Sequence, residues 1–473
     1  MVTAQIFFIF LVQIVQRCIF FIIFAADLLS TYITTNMKRI FVCLMMASAM
    51  TAQAQIARFS GKTALEEIAA DKFLAAGNMT DYDHLPRTAL TPAPKGYEPY
   101  YLSHYGRHGA RYLLEENDYA MPVQTLRKAK YAGKLTPLGD KVLAKLDSMQ
   151  KTTKDRLGDL TATGQRQHHG IAKRMAQNFP EIFKKPNLPI HSVSTTSIRA
   201  IISMMAECEE LQAANPSARI FNDASKADMH YMNYSPSRQE RGMGMPQMNV
   251  MRAMQKQQAM SDSLKHPERL MQLLFNDQHW VYLNVTTGSL MSKIADVALN
   301  MQSHDGDATL LELFTPEELR DLWRSNNLYW YLLYSNAPQT GGKMQWNQKN
   351  LLKNIIETAD TVTQTQVSLR FGHDTVVLPL LCMLDLDGSA VQVDNLDELE
   401  NSFRTYYLIP TGSNVQFIFY RPKKGKTGDI LVKVLFNERE AHMPLKTDTW
   451  PYYKWQDVRE YYLAKLAEQE QKK

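Results

Sequence analysis

Five consecutive residues carry the densest chemistry in this chain: Arg107-His108-Gly109-Ala110-Arg111. Two guanidinium groups around an imidazole make a site for an oxyanion, because the guanidinium fork matches paired phosphate oxygens. A neutral imidazole held there can attack phosphorus and divide a hydrolysis into two displacements. Gly109 lets the backbone pass close to a bound anion. Three more segments bring matching groups. Leu160-Thr161-Ala162-Thr163-Gly164 leads into Gln165-Arg166-Gln167. Ser194-Thr195-Thr196-Ser197-Ile198-Arg199 adds an arginine, and Phe371-Gly372-His373-Asp374 adds a second histidine and a carboxyl group. A positioned acid matters wherever an alkoxide must leave, since it protonates the departing oxygen.

Elements far apart in the chain must bring these segments together. Residues 97–105, 188–194 and 367–371 read as strands, and each runs toward one of the segments. Ile171, Met175 and Phe179 fall four apart, and Ile198, Ile201, Ile202 and Met205 share one face, so helices follow. Residues 375–384 read as a helix, and 415–420 and 430–436 as strands around a turn at 423–428. Strands alternating with helices predict an α/β sheet covered on both faces, with the ligand beyond the carboxyl ends of the strands. A helix starting just after Arg111 would add partial positive charge there. From about 213 to 350 the chain turns Met-, Gln- and Asn-rich with a helical pattern. The expected division is an α/β domain from 55–212 and 351–473, with 213–350 inserted as a mostly helical cap.

The four segments, in this order, resemble the histidine acid phosphatase family, branch 2 of the histidine phosphatase superfamily. The signature is R-H-G-x-R, then L-T-x-x-G, then S-T…R, then H-D, with a late strand around Ser413-Asn414-Val415-Gln416-Phe417. The resemblance implies a phosphoglycerate-mutase-like large domain with a mainly parallel sheet plus the helical cap. It also implies a secreted phosphomonoester hydrolase with no cofactor and no metal. In that family His108 would be the nucleophile that becomes phosphohistidine. Arg107, Arg111, Arg199 and His373 would hold the phosphate, with His373 protonated. Asp374, also protonated, would be the proton donor, giving an acidic optimum. The rest of the chain looks close to the bacterial multiple inositol polyphosphate phosphatases and phytases, although that group usually shows H-A-E where this chain has H-D. The family's proline two residues after the second arginine is replaced here by Leu113.

Charge narrows the partner. The chain holds 53 Lys+Arg against 48 Asp+Glu, a formal +5, which does not suggest nucleic acid. Residues 104–174 alone carry 14 basic and 7 acidic side chains, a concentration that would attract a polyanion such as phytate. The alternative partner is a small sugar phosphate or similar monoester. A different class is an inactive phosphate-ligand binding protein; the presence of all six site residues opposes it. A mutase-like transferase shares the first segment, and the export signal and H-D pair oppose that. No stable protein partner is expected.

Two apolar stretches open the chain. Met37-Lys38-Arg39, the apolar run 40–50 and Ala52-Gln53-Ala54 read as a secretory signal, so Met37 is the expected start and Gln55 the first mature residue. Residues 1–54 are thus expected to be an extension plus signal peptide. The destination would be periplasm, outer surface or extracellular space. Four cysteines leave only Cys208 and Cys382 in the mature chain, either paired or as two buried thiols. His168-His169 lacks carboxylate or cysteine partners at ligand spacing, and the aromatic run 328–334 reads as packing between the domains.

Overall fold

The computed structural model describes residues 61–234, 245–304 and 310–471. The signal read at 1–54, with its start at Met37, lies outside the described residues.

Within them the strands join one sheet: β1 (Tyr97–Arg107), β2 (Pro189–Ser194), β3 (Arg219–Asp223), β4 (Gln366–Gly372), β5 (Asn414–Pro422), β6 (Leu431–Phe436), β7 (Arg439–Glu440) and β8 (Tyr453–Lys454). The order is β3-β2-β4-β1-β5-β6-β7, with β8 beside β6. β3, β2, β4 and β1 are mutually parallel; β5 is antiparallel to both β1 and β6, so β6 resumes the common direction. The sheet is mixed, with most strands parallel.

β1 is buried from Pro99 to its end, so both faces need cover. Alternation sorts its side chains. Leu102 joins Ile190, Leu369 and Ile418 against α4 (Ala162–Asn178) and α5 (Ile198–Ala214), which supply Ile171, Met175, Met204 and Leu211. Tyr101 and Tyr105 join Phe417 and Phe419 on the opposite face, under α10 (Lys349–Thr361), α11 (Asp374–Leu384) and α12 (Trp455–Gln471). Each large apolar side chain buried this way contributes roughly 1.5–3 kcal/mol.

A second, all-helical core lies outside the sheet. It unites α1 (Ala64–Ala70), α2 (Glu116–Tyr131), α3 (Pro137–Thr152), α7 (Glu268–Leu274) and α8 (Thr287–Asn300). Helix α6 (Met245–Ser263) precedes α7. Helix α9 (Pro316–Tyr334) belongs to both cores: Leu319 and Trp323 enter the helical one, while Leu328, Tyr331 and Leu332 enter the sheet-side one. The aromatic run in 328–334 is therefore packing. The boundary at 213 is crossed twice. β3 lies inside the stretch read as cap yet forms the sheet edge. Helices α2 and α3, read as part of the α/β domain, pack with α7 and α8. The physical reason is the apolar face of Leu126, Val142 and Leu146, which finds its cover in Leu270, Leu290 and Ile294.

Candidate active site

β1 and β4 end together, with Arg107 opposite Gly372. The next backbone N–H, that of His108, continues the pairing to the Gly372 carbonyl at 2.9 Å. β2 ends one strand further over, and Thr195 donates its N–H to the Phe371 carbonyl at 2.9 Å. Three strand ends thus deliver His108, His373 and the first turn of α5, with Arg199, to one edge of the sheet. Arg107, His108, Arg111, Arg199, His373 and Asp374 meet there.

The expected helix after Arg111 is absent. The chain remains irregular until α2 begins at Glu116, so the RHG loop has no helix terminus of its own. Partial positive charge comes instead from the N-termini of α5 and α11, whose first turns hold Arg199 and Asp374.

His108 is 2% exposed, and its Nδ1 lies 2.9 Å from the Gly109 carbonyl. A carbonyl only accepts, so Nδ1 carries the proton and Nε2 keeps its lone pair. Burial, with the charges of Arg107, His373, Arg111 and Arg199, drives its pKa well below the ordinary histidine value. The ring is neutral and nucleophilic at Nε2. The His373 ring stands 5.5 Å away, centroid to centroid, and its Nε2 lies 3.1 Å from Thr195 Oγ1.

Asp374 Oδ2 sits 2.7 Å from Arg107 Nη2 and accepts from Asn78 Nδ2 at 2.9 Å. Burial alone would raise its pKa, but Arg107, the Asn78 hydrogen bond, Arg111 and His373 together hold it below the usual carboxylate value. Burial, then Arg199, Arg107 and Arg111, push His373 down to about 4. These directions correct the expectation that His373 and Asp374 are both protonated. In the protein by itself His373 is neutral and Asp374 is ionised at neutral pH, because three arginines penalise a further cation and favour an anion.

The charges then sum to three guanidinium groups and one carboxylate, which leaves two positive charges for a dianion. The Nε atoms of Arg107, Arg111 and Arg199 are buried without a hydrogen-bond partner among the described residues. Buried donors rarely stay unmatched, so the cluster is built for acceptor oxygens. Arg107 is also fixed from behind, since its Nη1 donates to the carbonyls of Asn78 and Ile409.

The second segment acts as a clamp. Thr161 caps α4 and donates both its N–H and its hydroxyl to the Ala110 carbonyl, at 3.0 and 3.1 Å. Gln167 accepts from the Ala110 N–H at 2.8 Å, and Ser203 accepts from the Gly109 N–H at 3.1 Å. A β-carbon on Gly164 would lie 2.3 Å from the Ala110 oxygen, and one on Gly109 would lie 2.4 Å from the Gly164 oxygen. Both positions must be glycine for loop and helix to touch. His168 and Glu207, wholly buried and 2.8 Å apart, tie α4 to α5 one turn further on.

Asn78 and Ser203 are functional neighbours that no motif announces. Asn78 lies in a 3-10 segment, Lys72–Met79, of the irregular lead-in, and nothing in its spacing marks it. Ser203 follows Arg199 by four positions on one helix, so the helical period alone places it beside that arginine. Cys208 and Cys382 are separate buried thiols. Much of the basic stretch is locally matched: Lys130 lies 3.0 Å from Asp140, Lys151 2.8 Å from Asp147 and Arg156 2.9 Å from Asp159.

A family model described as the histidine phosphatase superfamily, branch 2, matches residues 106–437. Solved structures that share the fold include the following two. The multiple inositol polyphosphate phosphatase of Bifidobacterium longum, in complex with inositol hexasulfate, has a TM-score of 0.67 at 17% identity, covering 81% of this chain and 96% of that one. The phytase of D. castellii has a TM-score of 0.60 at 16% identity, covering 84% and 85%. A search of curated proteins found no match.

Proposed function

The chain belongs to branch 2 of the histidine phosphatase superfamily, and from that premise we propose that it is a phosphomonoester hydrolase acting through a covalent phosphohistidine. One observation carries this: a buried neutral imidazole, its Nδ1 committed to a carbonyl, stands among three arginines with unmatched Nε donors. His108 Nε2 attacks phosphorus, and the bond to the ester oxygen breaks. Asp374, in its protonated form, gives its proton to the departing alkoxide. Water then attacks the phosphohistidine, Asp374 takes a proton back, and His108 and inorganic phosphate are released. Arg107, Arg111, Arg199 and His373 hold the equatorial oxygens, where negative charge is concentrated in the transition state.

The substrate we propose is an inositol polyphosphate such as phytate. The concentration of basic residues in 104–174 and the shared fold with an inositol polyphosphate phosphatase and a phytase support it. A second reading, a small monoester such as a sugar phosphate, is favoured by the local pairing of those basic residues and by the H-D pair. Phosphate release from phytate, glucose 1-phosphate and p-nitrophenyl phosphate separates the two. A higher kcat/KM on phytate than on glucose 1-phosphate is expected, and the reverse order removes the polyphosphate assignment.

A further inference from the structure

Beside the phosphate cluster lies a cavity of about 430 Å³ between the 3-10 segment Lys72–Met79 and helices α6, α8 and α9. Its wall includes Asn78, whose side chain holds Asp374, so it adjoins the cluster on the side of the proton donor. Asn300, whose amide donates to the Arg111 carbonyl at 3.0 Å, and Leu113 close the other end. None of the six cluster residues lines the cavity itself; the alcohol leaving phosphorus departs toward its proton donor, the side on which Asn78 joins cluster and cavity.

The lining is rich in hydroxyl and amide groups, including Ser292, Ser325 and Asn326, with three charged side chains: Lys265, Asp296 and Asp321. Two of the three are compensated. Lys265 lies 3.4 Å from Asp262, and Asp321 lies 3.6 Å from Arg320 and 3.9 Å from Arg324. Asp296 has no hydrogen bond or ion pair to its side chain among the described residues. Its neighbour Lys293 is engaged by Asp118. Asp296 is exposed to the cavity, and the protein packed around the cavity raises its pKa to about 6, with Lys293 and Lys265 opposing and Asp118 adding. A lone carboxylate has two uses toward a ligand. It accepts hydrogen bonds from neighbouring hydroxyls, and it repels a second phosphate.

We propose that this cavity receives the leaving alcohol and that Asp296 selects alcohols presenting free hydroxyls there over alcohols carrying a further phosphate. The inference rests on the phosphatase reading and adds to it a residue that sets how many phosphates the substrate bears on that side. Within the inositol phosphates Asp296 limits, without reversing, the preference for the hexakisphosphate that the basic residues of 104–174 supply.

The test compares the wild type with Asp296→Asn and Asp296→Ser at about pH 7, where the Asp296 carboxyl is ionised, measuring kcat/KM on myo-inositol hexakisphosphate and on glucose 1-phosphate. The ratio of the two is the readout, so a general loss of activity cancels. Inhibition by inorganic phosphate reports separately that the phosphate cluster is intact. The hexakisphosphate-to-glucose 1-phosphate ratio is expected to rise about threefold in both variants, as removal of a like charge at an exposed position predicts. An unchanged or falling ratio, in an active enzyme still inhibited by phosphate, overturns the proposal while leaving the phosphatase reading intact. No phosphate release by the wild type from either ester removes both.

Discussion

Asp374 starts as an anion paired with Arg107, so the proton it hands to the leaving oxygen must arrive from elsewhere. The substrate can bring it. A phosphomonoester binds its last proton with a pKa near about 6. Placing a dianion against Asp374 raises the carboxyl pKa, since a like charge disfavours the ionised form. Transfer from the substrate monoanion to Asp374 on binding therefore prepares the acid. The expected pH profile follows: kcat/KM falls about tenfold per unit above roughly pH 6–7, as the monoanion disappears. His373 and His108 stay neutral through that range and do not shape it. Asp374→Asn is expected to lower kcat by about 10²–10⁴ on alkyl phosphates. The loss should be much smaller on p-nitrophenyl phosphate, whose phenolate leaves without help. Equal losses on both esters would show that residue 374 is not the proton donor.

Two helices and three strand ends set the geometry in which those residues react. α4 presses Gly164 against Ala110 with no room for a β-carbon, and α5 carries both Arg199 and Ser203 to the loop. Gly164→Ala is expected to push α4 off the loop and misplace His108. Steady-state kinetics should show kcat/KM falling 10²-fold or more, because ångström displacements of reacting groups cost that much. Circular dichroism should show an unchanged helix content. Wild-type kinetics in that variant would deny the clamp. These elements were largely legible beforehand. The strands read at 97–105, 188–194 and 367–371 match β1, β2 and β4 closely, because each is a short apolar or aromatic run ending at a motif. Asn78 was not legible, since a single amide in a lead-in with no period gives no signal until the chain folds. The protonation of His373 and Asp374 was misjudged for a related reason. A pattern of residue types shows which charges are near, but not how deeply they are buried or which of them dominates.

On the scale of the whole molecule, the sheet interior holds titratable groups whose states differ between folded and unfolded chain. Burial drives His104, on β1, down to about 4, and His373 likewise falls to about 4. An unfolded histidine titrates near about 6.5. Between those values the unfolded chain binds protons that the folded chain does not. Stability therefore falls as pH is lowered from about 6.5 toward 4, by up to about 3 kcal/mol per group. His104→Leu is expected to flatten this dependence in thermal melts taken across that window, and a slope identical to wild type would contradict it. The domain limits were the least legible feature at this scale. Composition placed a cap at 213–350, but apolar helix faces choose partners by packing, and α2 and α3 found theirs in α7 and α8. Only the folded chain reveals that choice.

The central claim is that His108 becomes covalently phosphorylated. Mixing the protein with a labelled phosphomonoester, quenching within milliseconds in alkali and mapping the label tests it most directly. The expected result is an acid-labile, base-stable phosphoryl group on the peptide containing His108, absent in His108→Ala along with turnover. Turnover without any such label, or a His108→Ala protein that releases phosphate at the wild-type rate, would contradict the account.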